Sequence, residues 1–411
     1  MRNDRLLAAA GTFDTPLYIY DADAAIGRVR LLRTLFDGRF DISYAIKANP
    51  NLVLMTALRP VLDSFDASSL AEVLRAIAAG LPTERISFSG PAKRQSELEG
   101  ALLHGVGKIV VESVHEAEEL SRLALSQGRV QSCLVRLNPV RVPRRFGASM
   151  GGSASQFGID EEDMASALAR VKALPGLRLE GFHIYSGTNC LHAEAIVENF
   201  EIFAELFKRA VDLVDMPVSR LIFGSGMGIP YLPSEAPLDH DALPAMVLPI
   251  LDGLARHPGL EGARPVLELG RWLVGPAGWL LTRVIAEKHS RGKEIRACDA
   301  GFNNHLAACG MMGSALRRNW VFENLSNPEG QRQPYTLVGP LCTSIDRLAA
   351  DIEMPAVRRG DVVAVPQSGA YGITASPSRF ISHPEPREVV VIGDQMVDAS
   401  ESLLNHWPQK N

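Results

Sequence analysis

From about residue 40 to residue 270 the chain alternates short apolar runs with longer stretches in which apolar residues recur every three or four positions. The short runs are Ile42–Ile46, Leu62–Asp66, Arg85–Ser89, Lys108–Glu112, Ser132–Leu137, Leu179–Ile184, Arg220–Phe223 and Pro265–Glu268. Each carries Val, Ile, Leu or Phe, as strands buried on both faces of a parallel sheet do. Between them the spacing predicts helices over Ser69–Ala79, His115–Ser126, Glu161–Ala173 and the longer Ala193–Val214. Ser68 or Ser69 can cap the first of these, with Glu72 early in its first turn. Eight strands alternating with helices specify a closed (β/α)8 barrel more naturally than a doubly wound open sheet.

After residue 271 the helical period fades. Short strands are expected at Gly278–Ile285, Glu294–Cys298, Tyr335–Val338, Asp361–Val365 and Arg387–Ile392, separated by turns such as Asn327-Pro-Glu-Gly330. This reads as an all-β domain of sandwich or barrel type, to which Leu17-Tyr-Ile-Tyr20 adds a strand. The expected division is therefore a barrel over 22–270 and a discontinuous β-domain from 1–21 and 271–411. No repeat of fixed period is present. The segment Arg141–Ser155, with Gly147, Gly151, Gly152, three serines and Arg141, Arg144 and Arg145, reads as a mobile loop.

Composition narrows the class. Of 411 residues, 46% are hydrophobic and 22% charged, which excludes a disordered chain. Lys+Arg 42 against Asp+Glu 47 leaves −5, no footprint for nucleic acid or an anionic membrane. The five cysteines are odd in number and scattered without a CxxC pair, which argues against a disulfide framework or zinc cluster and for a reducing cytoplasm. The N-terminus is a poor signal peptide. The most apolar stretch, Trp272–Leu281, is broken by Gly275, Pro276 and Gly278 and falls short of the ~20 residues of a membrane helix. A soluble, cytoplasmic protein is expected.

In a barrel of this kind, chemistry collects at the C-terminal ends of the strands. Strand one ends at Lys47, strand two at Asp66, and strand six carries His183 and runs to Ser186 and Gly187. Strand seven enters Gly224-Ser-Gly-Met-Gly228, and strand eight ends at Glu268 with Gly270 and Arg271 behind it. Singly, each has a bland explanation: a solvated lysine, a core histidine, a helix-capping aspartate, a tight turn. Gly224–Gly228 is no dinucleotide fingerprint, because Ile229 occupies the third glycine position. Glu268 is harder to dismiss, since unpaired buried carboxylates are costly. Together they suit one group. A lysine whose ammonium is disfavoured in a partly dry mouth can condense with a carbonyl. A glycine turn offers N–H groups to a phosphate. An imidazole can stack on a flat ring, and a carboxylate can keep a ring nitrogen protonated. Aldehyde, phosphate and basic aromatic ring are pyridoxal 5′-phosphate, an electron sink for carbanions.

These residues resemble the fold-type III pyridoxal-phosphate amino-acid decarboxylases, the group of diaminopimelate and ornithine decarboxylases, whose barrel is alanine racemase-like. The resemblance covers nearly the whole chain. Tyr44-Ala-Ile-Lys47-Ala-Asn49 matches the motif whose lysine binds the cofactor as a Schiff base, and Phe65-Asp66-Ala-Ser68 with Glu72 the segment after it. His183-Ile-Tyr-Ser186-Gly187 matches the ring-stacking histidine with a serine near the phosphate. Gly224, Ser225 and Gly226 correspond to the phosphate turn, with Ser225 for the commoner glycine. Glu268-Leu-Gly270-Arg271 matches Glu-Pro-Gly-Arg, whose glutamate pairs with the ring nitrogen and whose arginine binds phosphate or substrate. Gly339-Pro-Leu-Cys342-Thr-Ser-Ile-Asp346 resembles the motif whose cysteine enters the partner subunit's site. Asp299-Ala-Gly301 and Gly369-Ala-Tyr371 resemble two further motifs, the last with a phosphate-reaching tyrosine. The resemblance implies a homodimer with shared active sites, catalysis by Lys47 and Cys342, and substrate contacts from Arg271, Asp299, Thr343 and Asp346.

Two departures bear on substrate. Diaminopimelate decarboxylases usually place Glu after the cysteine, where this chain has Thr343, and an Arg-Pro after the Asp-Gly-Gly segment, where it has Leu306-Ala307. Both remove polar contacts to that substrate's far end. Ile86-Ser-Phe-Ser-Gly-Pro-Ala-Lys93 and the Tyr-Ser-Gly-Thr after His183 look closer to a secondary-metabolism branch that decarboxylates siderophore intermediates or carrier-protein-tethered amino acids. The expected activity is loss of the α-carboxylate of an amino acid or its derivative as CO2. The rivals are a diaminopimelate decarboxylase, an amino-acid racemase (disfavoured by Glu268) and a non-catalytic regulatory homologue (disfavoured by retention of Lys47, His183, Glu268 and Cys342).

Overall fold

The computed structural model describes residues 1–311 and 318–400. By contacts the chain forms two compact units, one of Gly27–Gly228 and Pro237–Gly270, the other of Met1–Ile26, Ile229–Ala236 and the chain from Arg271 onward.

The first unit is the eight-stranded barrel. Its strands, in order, are Asp41–Ala45, Ser64–Ala67, Ile86–Phe88, Lys108–Val111, Gln131–Asn138, Leu177–Ile184, Arg220–Gly224 and Arg264–Leu269. Each pairs in parallel with the next, and the eighth pairs with the first to close the ring. Val110, Leu134, Ile222 and Val266, from strands four, five, seven and eight, pack as one buried cluster. All-round burial explains why the strand segments are apolar runs without alternation.

Helices Leu70–Ala78, Val114–Ser126, Met164–Lys172 and Ala193–Val214 stand where the periodicity puts them. The first cap is Ser69, whose hydroxyl accepts from Glu72 N at 3.2 Å, while Glu72 Oε2 accepts from Ser68 N at 2.7 Å. Helix Leu243–Ala255 escaped the sequence reading because Pro249 lies inside it and a second proline in its first turn; Ala22–Leu35 and Gln95–Leu103 were also missed, and both are weakly amphipathic.

The second unit is built on a nine-stranded sheet. Leu17–Asp21 joins it as expected, antiparallel to Gly278–Ser290 and parallel to Arg387–Ile392, which makes the sheet mixed. Strand Arg347–Pro355 was not anticipated. It pairs with Arg332–Val338, and its mixed apolar and charged sequence hides the alternation. The β-sheet unit also carries a helix at its N-terminus. Helix Asn3–Phe13, for which the sequence predicted no element, buries Leu6, Ala9 and Ala10 against Leu17, Ile19, Leu281, Val389 and Val391. Its N-cap, Arg2, gives no side-chain capping bond, so no start signal was written in the sequence.

Candidate active site

Lys47 lies one turn beyond the first barrel strand, in a 3-10 turn over Ile46–Ala48. The turn is fixed from both sides, by Asn49 N donating to Ile46 O at 3.0 Å and by Tyr44 Oη donating to Asn49 O at 2.8 Å. Lys47 itself is exposed, its Nζ 5.6 Å from the centroid of the Tyr185 ring. The expectation of a lysine dried out by the barrel mouth is therefore corrected: the side chain is exposed. Its positive charge instead bears on Asp66, Glu72 and Glu268.

Asp66 sits in strand two, buried, and both its oxygens are occupied. Ser87 Oγ donates to Oδ1 at 2.8 Å and Ser89 Oγ to Oδ2 at 2.7 Å. The Ser-x-Ser at the end of strand three was missed, although its alternate residues face one side and could have been read as donors. Strands six and eight flank strand seven, and from them His183 and Glu268 meet with Nε2 and Oε2 3.3 Å apart. Both are buried, the contact lacks hydrogen-bond geometry, and His183 Nδ1 has no partner among the described residues. A buried imidazole and carboxylate left so incompletely bonded are costly unless a further group completes them.

The environment sets the two inward carboxyls apart. Burial, reinforced by the Glu268 charge, raises Asp66 to about 8 against the opposing pull of Lys47 and the two serines. Burial would raise Glu268 too, but His183, Lys47 and Arg136 outweigh it and hold Glu268 below the usual carboxylate range. Near neutral pH, Asp66 is the protonated member and Glu268 the anion, the division of labour that lets neighbouring carboxyls take different roles.

This has a pH consequence. Between the ordinary 3.8 and about 8, folded Asp66 binds a proton that the unfolded chain does not. The stability it lends is complete below the lower value and lost as pH rises through the upper. In cofactor-free protein, Asp66→Asn is expected to flatten the fall in Tm from about pH 5 to about pH 8. Superimposable melting curves for the two proteins would show that Asp66 ionises as in water.

The glycine turn after strand seven is tightly confined. Gly226 has φ +66°, and a Cβ there would lie 2.2 Å from Phe146 Cε1 and 3.0 Å from Gly187 O. A Cβ on Gly224 would meet Tyr185 at 2.2 Å. The turn offers fewer amides than the sequence suggested. Ser225 N donates to Glu268 O at 3.1 Å, Met227 N to Ser225 Oγ at 3.3 Å and Gly228 N to Cys190 O at 2.9 Å. Among the described residues Gly226 is the turn position whose amide takes no such acceptor. Ser186 Oγ donates to Asn199 Oδ1 at 2.6 Å, which leaves the serine oxygen as an acceptor. Gly270 permits close packing, since a Cβ on it would meet Ala48 Cβ at 2.7 Å.

Arg141–Ser155 is not simply a mobile loop. Ala148–Ser149 pairs antiparallel with Gly187–Thr188, and Met150 N donates to Ser186 O at 2.8 Å. Also unanticipated is a buried clasp across strands four and five. Arg136 Nη1 donates to both Glu112 oxygens at 3.0 and 3.1 Å, and Gly90 N and Gly158 N donate to the same carboxylate.

The remaining sequence-predicted residues lie in the second unit. Arg271 Nη1 donates to Tyr231 Oη at 2.6 Å, and its guanidinium carbon is 4.7 Å from the Tyr371 ring centroid. Tyr231 in turn stacks on Trp320 at 4.1 Å between centroids. Tyr231 and Trp320 carry no motif, and only the fold makes them neighbours. Asp299 accepts from Thr282 Oγ1, Arg283 N and Thr15 Oγ1. Asp346, buried, accepts from Phe302 N and Leu341 N, both at 2.8 Å. Both carboxylates thus brace loops of their own unit, and Asp346 anchors the one carrying Cys342 and Thr343. Cys342 is exposed, whereas Cys133, Cys190, Cys298 and Cys309 are buried.

A parallel (β/α)8 barrel with a lysine, a buried histidine–glutamate pair and a glycine turn at one rim defines a class of pyridoxal-phosphate enzyme. The family described as "Pyridoxal-dependent decarboxylase, pyridoxal binding domain" matches residues 24–275, more than half the chain. The chain belongs to that family and is a pyridoxal 5′-phosphate-dependent amino-acid decarboxylase, a carboxy-lyase. It is 32% identical to the L-glutamyl-[BtrI acyl-carrier protein] decarboxylase of Niallia circulans, over 94% of this chain and 90% of that one. It is 33% identical to the diaminopimelate decarboxylase of Methanothermobacter thermautotrophicus, over 93% of this chain and 88% of that one. The crystal structure of the Helicobacter pylori diaminopimelate decarboxylase with L-lysine superposes with a TM-score of 0.85 at 27% identity, covering 99% and 98% of the two chains. Among the described residues no helix is long and apolar enough to cross a membrane.

Proposed function

We propose that this enzyme decarboxylates an α-amino acid whose side chain is joined through an acyl bond to a carrier protein. The observation that carries this reading is the make-up of the Cys342 loop and the segment after Asp299. Thr343 and Leu306-Ala307 stand where contacts to a charged distal amino-acid centre are expected, and they suit a neutral acyl linkage instead. The similarity to a decarboxylase named for a glutamyl carrier-protein substrate agrees. Chemistry fixes the point of attachment: the α-amine and α-carboxylate must both be unblocked for decarboxylation, so such an amino acid is held by its side-chain acyl group.

Bound pyridoxal phosphate supplies the electron sink for the carbanion left by CO2. Lys47 Nζ is the amine that would hold the cofactor covalently. The Glu268 carboxylate, kept anionic, would keep a proton on the ring nitrogen, and His183 would support the ring. Gly224, Ser225, Gly226 and Ser186 would line the phosphate side of the barrel unit's rim. Cys342 Sγ of a second copy returns the proton to the α-carbon. Its exposure, unlike the other four cysteines, suits a group that serves a neighbouring subunit.

Competition assays test the substrate. CO2 release from an L-glutamyl thioester on an acyl-carrier protein is expected to exceed that from diaminopimelate by roughly 10²-fold in kcat/KM. The reverse order would make the enzyme a diaminopimelate decarboxylase.

A further inference from the structure

On the surface of the barrel unit Arg122, Arg170, Arg178 and Arg209 each hold a carboxylate, of Glu119, Glu118, Glu180 and Glu161 respectively. Arg30, Arg94 and Arg256 are exposed outside any such pair, but they lie far apart from one another in the sequence. Arg141, Arg144 and Arg145 differ in standing together. All three are exposed; the charge of Arg141 reaches Glu161, which Arg209 holds, but among the described residues no ion pair joins any of the three to a carboxylate. Three unpaired like charges within five residues repel one another, and this occurs in a chain of net charge −5.

The position of the cluster is fixed. Gly147 N donates to Thr188 O at 2.9 Å and Gly152 N to Pro139 O at 3.0 Å, so both flanks of the loop are tied to backbone. Phe146, next to Arg145, packs on Gly187 and Gly226, the two glycines that follow strands six and seven. The charge of Arg145 reaches Cys190, whose backbone bridges to Met227 of the glycine turn. Beside the arginines Val140 is 55% exposed, an apolar contact next to the charges. The cluster therefore stands on the C-terminal rim of the barrel, beside the phosphate turn, and faces outward.

We infer that Arg141, Arg144 and Arg145 form the docking surface for an acidic face of the carrier protein that delivers the substrate. This rests on the reading that the substrate is carrier-tethered. A small amino acid needs no external basic platform, whereas a protein-borne one must bring its arm to the rim in one orientation. Charge complementarity supplies that orientation and a faster encounter. The rigid backbone ties keep the platform in place without closing the mouth.

The test compares three forms of one amino acid: L-glutamate as its side-chain thioester on an acidic acyl-carrier protein, on phosphopantetheine, and on pantetheine. In the R141E/R144E/R145E variant at low ionic strength, kcat/KM for the carrier-borne form is expected to fall roughly 10- to 100-fold and to lose its salt dependence. Both small conjugates should keep their wild-type values. The R141K/R144K/R145K variant retains the charge and should stay within about threefold on all three, which separates docking from loop disruption. An equal loss on phosphopantetheine and carrier forms would move the arginines to the arm's phosphate and overturn the docking surface. So would an unchanged carrier rate in the charge-reversed enzyme. If wild-type enzyme releases CO2 from none of the three but does so from diaminopimelate, the substrate reading fails and the docking inference falls with it.

Discussion

Lys47→Ala is expected to lower CO2 release by about 10³-fold or more, because Lys93, the lysine that follows the third barrel strand, is committed to Glu116 and cannot replace a covalent amine. Lys47 is placed for this by a turn rather than by burial: the Ile46–Ala48 turn carries it out of the first strand, and Tyr44 and Asn49 lock the turn below it. Since Lys47 is itself exposed, its removal leaves the barrel core intact, and the variant should stay folded and bind no cofactor covalently. Mass analysis gives the independent readout. After borohydride reduction with pyridoxal phosphate, the peptide containing Lys47 should carry the phosphopyridoxyl increment. An increment on another lysine, with activity retained in the alanine variant, would reject the assignment.

Glu268→Gln is expected to lower kcat by about 10²- to 10³-fold while changing KM little, since it preserves shape and removes one negative charge where a ring nitrogen must stay protonated. The carboxylate is buried beside His183 at 3.3 Å, and the positive groups around it keep it ionised in spite of that burial. Folding stability also depends on this charge. The folded group lies below its ordinary value, so its contribution is present above the unfolded value and lost as pH falls through the folded one. The glutamine variant should therefore lose less stability on acidification than the wild type. If kcat remained within about threefold, ring protonation would have to be held by another group, and the racemase alternative would regain ground.

The candidate site was legible in outline because strand ends in a barrel are short and their order is fixed. Once Lys47, Asp66, His183, Gly224 and Glu268 are assigned to ends of parallel strands, the closed topology brings those ends to one rim. What the sequence concealed was the bonding among them. Ser87 and Ser89 read as ordinary strand residues, yet their hydroxyls decide that Asp66 is held at both oxygens. Asp299 and Asp346 read as site carboxylates, yet backbone and threonine donors use them as loop braces. Lys47 read as desolvated and is exposed, because burial belongs to three-dimensional neighbours rather than to the flanking Ile46 and Ala48.

By itself the sequence determined the eight-strand alternation, the β-rich second unit and the residue types that pyridoxal phosphate needs. These are properties of local periodicity and of side-chain chemistry, carried along the chain. Only the tertiary structure decided that His183 and Glu268 touch across an intervening strand, that Asp66 stays protonated while Glu268 ionises, and that Phe146 seats a basic loop on the glycine turn. Each of these depends on groups far apart in sequence meeting in a low-dielectric interior, where position, rather than identity, sets the energy.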